Sequence, residues 1–124
     1  MRLLPPPKGF SPDERDVWNA AQKQLRAQGT WTGRSDVPLL ESYCRNAVLA
    51  RQARTTLTAY GDPFRVSGEI DRATVRGCLK IATDAEAAAH KFATALLLTP
   101  ESRKRHGVKA AEAGADGELQ ALIG

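Results

Sequence analysis

The sequence is poor in the residues from which catalytic and metal sites are built. It contains two cysteines and two histidines in 124 residues. His90 and His106 have no acidic or cysteine partners at metal-ligand spacing. Glycines such as Gly29, Gly33 and Gly61 stand singly between helical patterns, so no glycine-rich phosphate loop is present. We therefore expect no enzyme, no cofactor and no metal site.

Long apolar runs and signal-like segments are lacking as well. The longest apolar runs, such as Ala95–Leu98, are far shorter than the ~20 residues of a membrane-spanning helix. Met1–Phe10 contains three consecutive prolines, which does not fit a secretory signal. These features predict a cytoplasmic protein without a membrane partner. Because Cys44 and Cys78 lie within helical patterns, we expect free thiols rather than a disulfide.

Charge is distributed unevenly along the chain. The formal net charge is +4, and residues 107–124 contain one Lys against three acidic residues, so the excess of basic residues lies in residues 1–106. A basic body favours an acidic partner, of which nucleic acid is the commonest. An ordinary solvated surface accounts for the same balance equally well, so charge alone leaves both readings open.

Two sequence patterns that are typical of helix starts occur in the chain, one near each end. The segment Ser11–Glu14 is typical of a helix start, because its serine can cap, its proline fits the first helical position and its glutamate completes a capping box. This helix is expected to end near Gln28, before Gly29. Thr99 followed by Pro100 repeats the cap-and-proline signal and predicts a short helix at the end of a longer one.

Two long amphipathic helices are predicted between these signals. One runs over Val37–Tyr60 and has Ser35 or Asp36 as its cap. The next runs over Arg72–Leu98 and has Asp71 as its cap. Two long amphipathic helices joined by a moderate connection favour an antiparallel hairpin.

The pattern as a whole predicts an all-α protein, in which a long antiparallel helical hairpin carries a capping N-terminal helix and a short C-terminal helix. Residues 1–10 are expected to form an extended arm, because consecutive prolines favour polyproline geometry. Residues 11–106 form the helical domain, and the connection over 61–70 fits a short hairpin or an ordered loop. Residues 107–124 are expected to be a flexible acidic tail. The last turn of that tail is apolar on one side, through Leu119, Leu122 and Ile123.

One acidic residue lies on an apolar helix face. Glu86 falls at the centre of the apolar stripe of the third helix, and Arg51 and Arg54 fall inside the apolar arc of the second. A buried charge needs a partner, because burying it alone is costly. We interpret Glu86 as the partner of Arg51 or Arg54 in a buried pair, within one subunit or across a subunit boundary. A catalytic Glu86 is the alternative, although no second carboxylate accompanies it.

Two groups of cations are candidates for contact with DNA phosphates. The first is a stripe at four-residue spacing on the third helix, and the second is a cluster at the end of the short helix. A solvated helix face and the attraction of cations to a helix C-terminus are the alternative explanations. The candidates are Arg72, Arg76 and Lys80 in the stripe, and Arg103, Lys104 and Arg105 in the cluster.

The order of these elements resembles that of a known family. The capped start Ser11–Glu14 is followed by Trp18, then by a helix that ends at Tyr60–Gly61, and finally by a long helix that closes in Leu97–Arg103. This order is similar to that of the small subunits of tailed-phage terminases, in the group that ends its long helix in a Leu-Thr-Pro-x-x-Arg element. The resemblance spans Leu3 to Arg105.

The resemblance implies a function and a set of partners. Small terminase subunits bind the packaging-initiation site of double-stranded viral DNA, assemble into rings, most often nonamers, and recruit and regulate the large subunit. The large subunit carries the ATPase and nuclease, and the small subunit is not an enzyme. The expected location is the cytoplasm of the host cell. The chain departs from the family where Leu97 replaces the usual Gly, and where Gly61–Ile70 matches loosely.

Two other functions fit the residues. A dimeric helical DNA-binding regulator would use the first helix and the start of the second as a helix-turn-helix, although the link Gln28–Asp36 is long for that motif. A helical scaffold without a nucleic-acid role is the other alternative.

Overall fold

The computed structural model describes residues 3–31, 33–60, 68–107 and 113–123. All regular structure in these ranges is helical, which confirms the all-α class. A candidate membrane-spanning helix is absent from these ranges. The elements are α1 (Pro12–Ala27), a 3-10 turn (Gly33–Asp36), α2 (Val37–Ala59), α3 (Glu69–Ala95), α4 (Pro100–Arg105) and α5 (Ala113–Ile123).

The predicted capping box at the start of α1 is confirmed. Ser11 Oγ accepts from the backbone N–H of Glu14 at 3.2 Å, and the carboxylate of Glu14 accepts from the backbone N–H of Ser11 at 2.9 Å. Two of the free N–H groups at the helix start are thereby satisfied. The helix ends at Ala27, as expected, and Gly29 follows with a φ of 75°.

The bounds of α3 differ from the sequence prediction. The helix begins at Glu69 rather than Arg72, and its N-cap is Gly68 with a φ of 92°, a conformation that glycine adopts without steric cost. Asp71 therefore lies inside the helix, and its prediction as the cap is wrong. At the other end α3 stops at Ala95, before the predicted Leu98.

The start of α2 agrees with the sequence, but its cap does not act through a side chain. The helix begins at Val37, as predicted, with Pro38 in its first turn. Asp36 occupies the N-cap position, yet its carboxylate makes no capping bond to the helix backbone. The proline in the first turn lacks an N–H, which reduces the number of donors that a cap would have to satisfy. The connection over 61–67 lies outside the described residues.

The hydrophobic core lies where α1 packs on α2 and α5, and Ala93, Leu96 and Leu98 at and after the end of α3 complete it. Trp18 is 1% exposed at its centre, and its ring meets the ring of Phe10 edge-on at a centroid distance of 5.8 Å. Cys44 is buried and Cys78 is partly exposed, and both are free thiols, as expected. The remaining large buried side chains of this cluster are Val17, Leu25, Leu40, Tyr43, Val48, Leu96, Leu98 and Leu119.

The N-terminal arm is attached to α1 through its backbone. Leu4 donates its N–H to Gln22 Oε1 at 2.9 Å. The carbonyl of Leu4 accepts from Trp18 Nε1 and from Gln22 Nε2, each at 3.0 Å. The described part of the arm has no regular secondary structure, and these bonds hold it against the first helix.

The most extensive helix–helix contact joins α2 and α3. The residues buried along it are small, and they include Ala50 and Ala53 of α2 with Ala82 and Ala85 of α3. Small side chains allow two helix backbones to approach closely.

Residues 113–123, which lie within the segment predicted to be a flexible tail, form a helix. This helix, α5, packs on α1 and touches α2. Leu119 is 3% exposed, and Leu122 and Ile123 pack against the core. Burial of this apolar turn stabilises the helix. The glycines and acidic residues of the segment suggested disorder because the sequence does not show the surface on which the turn packs.

Candidate nucleic-acid interface

The basic stripe lies on the solvent face of α3. Arg72, Arg76 and Lys80 are all exposed, and their four-residue spacing places them one above another along the helix. Lys80 Nζ lies 3.1 Å from Asp84 Oδ2, so part of the charge of Lys80 is balanced locally. The guanidinium groups of Arg72 and Arg76 are thus the stripe's main contribution to the surface potential.

A further cation continues the stripe and was missed in the sequence. Lys91 is exposed on α3, eleven residues after Lys80, which brings it back to nearly the same angle of the helix. The eleven-residue spacing from Lys80 could have predicted it. The search for cations at every fourth position ended at Asp84, which is followed by apolar residues.

Arg103 is buried in the single chain, which does not fit the contact with DNA phosphates that the sequence predicted. Its side chain is buried, with the residue 5% exposed, because α4 turns Ser102 and Arg103 inward. Arg103 Nη1 donates to the carbonyl of Leu98 at 3.1 Å and lies 3.5 Å from Gln28 Oε1. Lys104 and Arg105 are exposed at the end of α4 and remain candidates.

The corner between α3 and α4 is held from inside by α1. Gln28 Nε2 donates to the carbonyl of Leu97 at 2.8 Å, and Gln24 Nε2 donates to the carbonyl of Leu98 at 3.4 Å. Thr99 caps α4 as predicted, because its Oγ1 accepts from the N–H of Ser102 at 3.1 Å. The Leu-Thr-Pro-x-x-Arg element is therefore a structural joint between three helices.

The structure brings Glu86 together with one of its two predicted partners. Arg54 Nε lies 3.1 Å from Glu86 Oε1, and Arg54 Nη2 contacts the same oxygen. Both side chains are 48% exposed, so the pair is not buried in the single chain. Arg51 lies elsewhere, with Nη2 at 3.0 Å from Asp13 Oδ2 and Nη1 at 2.7 Å from the carbonyl of Leu122.

An open groove of about 930 Å³ lies between α2, α3 and α5. Its polar lining includes the ionisable side chains of Arg51, Arg54, Glu86 and His90. Within the described residues, no three His, Cys, Asp or Glu side chains are arranged to hold a metal ion. The remaining lining is mainly apolar and includes Ala47, Ala50, Ala89, Ala93, Leu98, Leu119, Leu122 and Ile123.

Among the described residues, Tyr43 and Cys44 have displaced pKa values, and both lie in the core rather than on the interface. Burial raises the pKa of the Cys44 thiol far above its usual range, and the nearby carboxylates of Glu14 and Glu41 raise it further. Burial also raises the pKa of Tyr43, with a smaller contribution from Cys44. Both groups are therefore held neutral, which suits a packed core and not a nucleophile.

The fold and this surface define an all-helical protein that presents an exposed row of cations on one helix. A family model described as phage terminase, small subunit, matches residues 15–113, which is most of the chain. The chain belongs to this family, as its sequence resemblance predicted. No curated protein and no solved structure matches it.

Proposed function

We propose that this chain recognises double-stranded viral DNA for genome packaging and regulates a large subunit that carries the ATPase and nuclease. In this role it is not an enzyme, and it acts as a homo-oligomeric ring. Membership of the family supports the packaging role broadly. The observation that carries the DNA contact is the exposed row of Arg72 and Arg76 on α3, which Lys80 and Lys91 extend.

The geometry of the row suits a phosphate backbone. Arg72 and Lys91 are nineteen positions apart on α3, an axial distance of roughly 28 Å at ~1.5 Å per residue, and the row turns by about 100° around the helix over that length. Phosphates bound along such a face release their counterions, so affinity falls steeply as salt increases. Contacts of this kind position the protein on DNA, and they do not by themselves read its sequence.

The way α2 and α3 pack within the chain supports the hairpin from which a ring subunit would be built. Arg54, near the end of α2, meets Glu86 in α3, while the earlier Tyr43 shares a buried cluster with the later Ala93. This pairing supports the antiparallel hairpin, which would form the wall of a ring subunit. Large apolar side chains that remain exposed on the two helices are candidates for burial between copies. They are Leu49, Leu79 and Ile81.

Two double variants with the same loss of charge test the DNA contact. Arg72→Gln with Arg76→Gln removes two cations from the row, and Lys8→Gln with Arg15→Gln removes two exposed cations from the arm and α1. We expect the first variant to weaken binding to a double-stranded DNA fragment and to reduce the slope of log affinity against log salt by about 2. The second variant should leave that slope nearly unchanged.

Other outcomes would contradict parts of this proposal. Equal losses in both double variants would show a general charge effect and remove the row from the interface. A complete lack of DNA affinity at low ionic strength would contradict DNA recognition and favour a scaffold. Native mass spectrometry of the unmodified protein distinguishes the ring from the alternative regulator, since the regulator would have the mass of a dimer.

A further inference from the structure

Trp18 and Gln22 of α1 form a slot, which we call the arm slot, that holds one residue of the N-terminal arm by its backbone. Gln22 Oε1 accepts from the N–H of Leu4 at 2.9 Å, and Gln22 Nε2 donates to the carbonyl of Leu4 at 3.0 Å. Trp18 Nε1 donates to the same carbonyl at 3.0 Å. Trp18 is 1% exposed and Gln22 is 0% exposed. The arm slot therefore recognises main-chain atoms, which is how many peptide-binding sites gain affinity.

An empty arm slot would be unfavourable. The amide of Gln22 and the indole N–H of Trp18 would lose the three hydrogen bonds that the arm supplies. The side chain of Leu4 packs against the hydrophobic core, so its departure would also expose apolar surface. The arm can therefore leave its slot at low cost only when an equivalent segment takes its place. Every copy of the chain has one arm slot and one arm, so another copy supplies that equivalent segment.

The arm is joined to α1 through a hinge of two exposed residues, Lys8 and Gly9. Gly9 has a φ of 87°, and a side chain at this position would meet no neighbouring atom within 4 Å. The turn is closed by a bond from the N–H of Phe10 to the carbonyl of Pro7 at 3.3 Å. Because glycine adopts most backbone conformations without steric cost, rotation at Gly9 can redirect the arm.

The segments on both sides of this hinge keep their shape when the arm moves. Residues 5–7 are consecutive prolines, whose φ angles are fixed and which favour an extended rod. On the other side, Phe10 is buried, its ring meets that of Trp18 at 5.8 Å, and the guanidinium of Arg45 lies 5.0 Å from the ring centroid. A stiff rod on an anchored hinge loses little conformational entropy when it binds at a new place.

We propose that neighbouring copies exchange their arms, so that Leu4 of one copy binds in the arm slot of the next. The exchange replaces three hydrogen bonds by the same three bonds and leaves no slot empty in a closed assembly. Leu4 lies five positions before Gly9, a reach of at most ~18 Å at ~3.6 Å per residue, which requires α1 to lie at the boundary between copies. The exchange rests on the assembly of copies proposed above and is independent of DNA binding by α3.

Two complementary variants test the exchange. The first lacks residues 1–7, so its arm slot is empty, and the second, Gln22→Met, keeps its arm but has a weakened slot. When the two are refolded together, arms of the second variant can fill slots of the first. We expect amides of α1 in the armless chain to exchange with solvent at least about tenfold more slowly in the mixture than alone. Mass spectrometry follows this chain in the mixture, because peptides that contain Gln22 come only from it.

The matched control is a partner that combines both changes, Gln22→Met without residues 1–7, and it should not slow the exchange of the armless chain. If Gln22→Met with its arm slowed the exchange no more than this control does, arm exchange would be wrong. Native mass spectrometry of the same samples then distinguishes the two proposals. Mixed assemblies without slower exchange would contradict arm exchange alone, whereas monomers in every sample, including the wild type, would contradict the assembly as well.

A cross-linking measurement leaves the arm slot unchanged, so it decides the question even if Gln22→Met fails to fold. Photoreactive benzoylphenylalanine replaces the exposed Pro5, and equal amounts of isotopically light and heavy protein are refolded together. Arm exchange predicts products in which a light arm is joined to a heavy α1, and the reverse. If arm and α1 carried the same label in every product, each arm would bind its own chain and the exchange would be overturned.

Discussion

At the residue scale, side chains at the corner after α3 supply donors to backbone carbonyls that have no helical partner. The carbonyls of Leu97 and Leu98 accept from Gln28, Gln24 and Arg103. A buried carbonyl without a donor costs about 1–3 kcal/mol. The arginine of the Leu-Thr-Pro-x-x-Arg element thus contributes to the stability of the fold, and its side chain points inward.

The role of Arg103 predicts a loss of stability on truncation. Arg103→Ala should lower the free energy of unfolding by about 1–3 kcal/mol, because the carbonyl of Leu98 loses its charged donor and a buried space opens. Lys104→Ala, an exposed neighbour, should change it by less than about 0.5 kcal/mol. Urea unfolding followed by tryptophan fluorescence measures both. Similar losses in the two variants would contradict the inward role.

At the element scale, the end of α3 depends on one unusual backbone conformation. Leu97 has a φ of 62°, and it is the only residue other than glycine with a positive φ among the described residues. The left-handed region costs a non-glycine residue roughly 1–2 kcal/mol. This turn lets the N–H of Leu98 reach the carbonyl of Ala93 at 2.8 Å and redirects the chain into α4.

Because the backbone at Leu97 is strained, we expect replacement of this residue by glycine to cost little stability. Leu97→Gly should change the free energy of unfolding by less than about 1 kcal/mol, because relief of the left-handed strain offsets the lost side-chain contacts. Leu98→Gly, at the buried neighbour, should cost at least about 2–5 kcal/mol. Thermal and urea unfolding of both variants give the comparison. If Leu97→Gly lost as much stability as Leu98→Gly, the contacts of the Leu97 side chain would contribute more than the backbone strain costs.

Helix starts could be predicted from the sequence, but contacts between distant parts of the chain could not. The starts of α1 and α4 follow from Ser11 and Thr99, because a cap acts on backbone groups two or three residues away. Two helical stripes predicted that Glu86 meets an arginine of α2, but they did not distinguish Arg54 from Arg51. The inward turn of Arg103 depends on acceptors near the end of α3, and the order in α5 depends on a surface of α1. Helix periodicity carries no information about either of these surfaces.

At the scale of the whole molecule, the buried neutral groups make stability depend on pH. Burial raises the pKa of Cys44 and of Tyr43, so both remain protonated in the fold while they ionise in the unfolded chain. Above the unfolded pKa the unfolded state has released a proton that the folded state retains. Stability is therefore full below that pKa and is lost as pH rises above it.

This linkage predicts a decline in alkaline solution. The free energy of unfolding should begin to fall near pH ~8.5, where an exposed thiol ionises, by up to about 1.4 kcal/mol per pH unit. The fall should steepen near pH ~10, where an exposed tyrosine ionises. Urea unfolding at a series of pH values measures the decline. Cys44→Ala should delay its onset, and an unchanged onset in that variant would show that other groups cause it.

The attachment of the N-terminal arm has a consequence for how the chain tolerates mutation. Gln22 and Trp18 grip the N–H and the carbonyl of Leu4, which are atoms of the main chain. Because every residue except proline offers the same two atoms, position 4 can drift among apolar residues during evolution without losing these bonds. Selection would act instead on Trp18 and Gln22, which make these hydrogen bonds and lie 14 and 18 residues after Leu4 in the sequence.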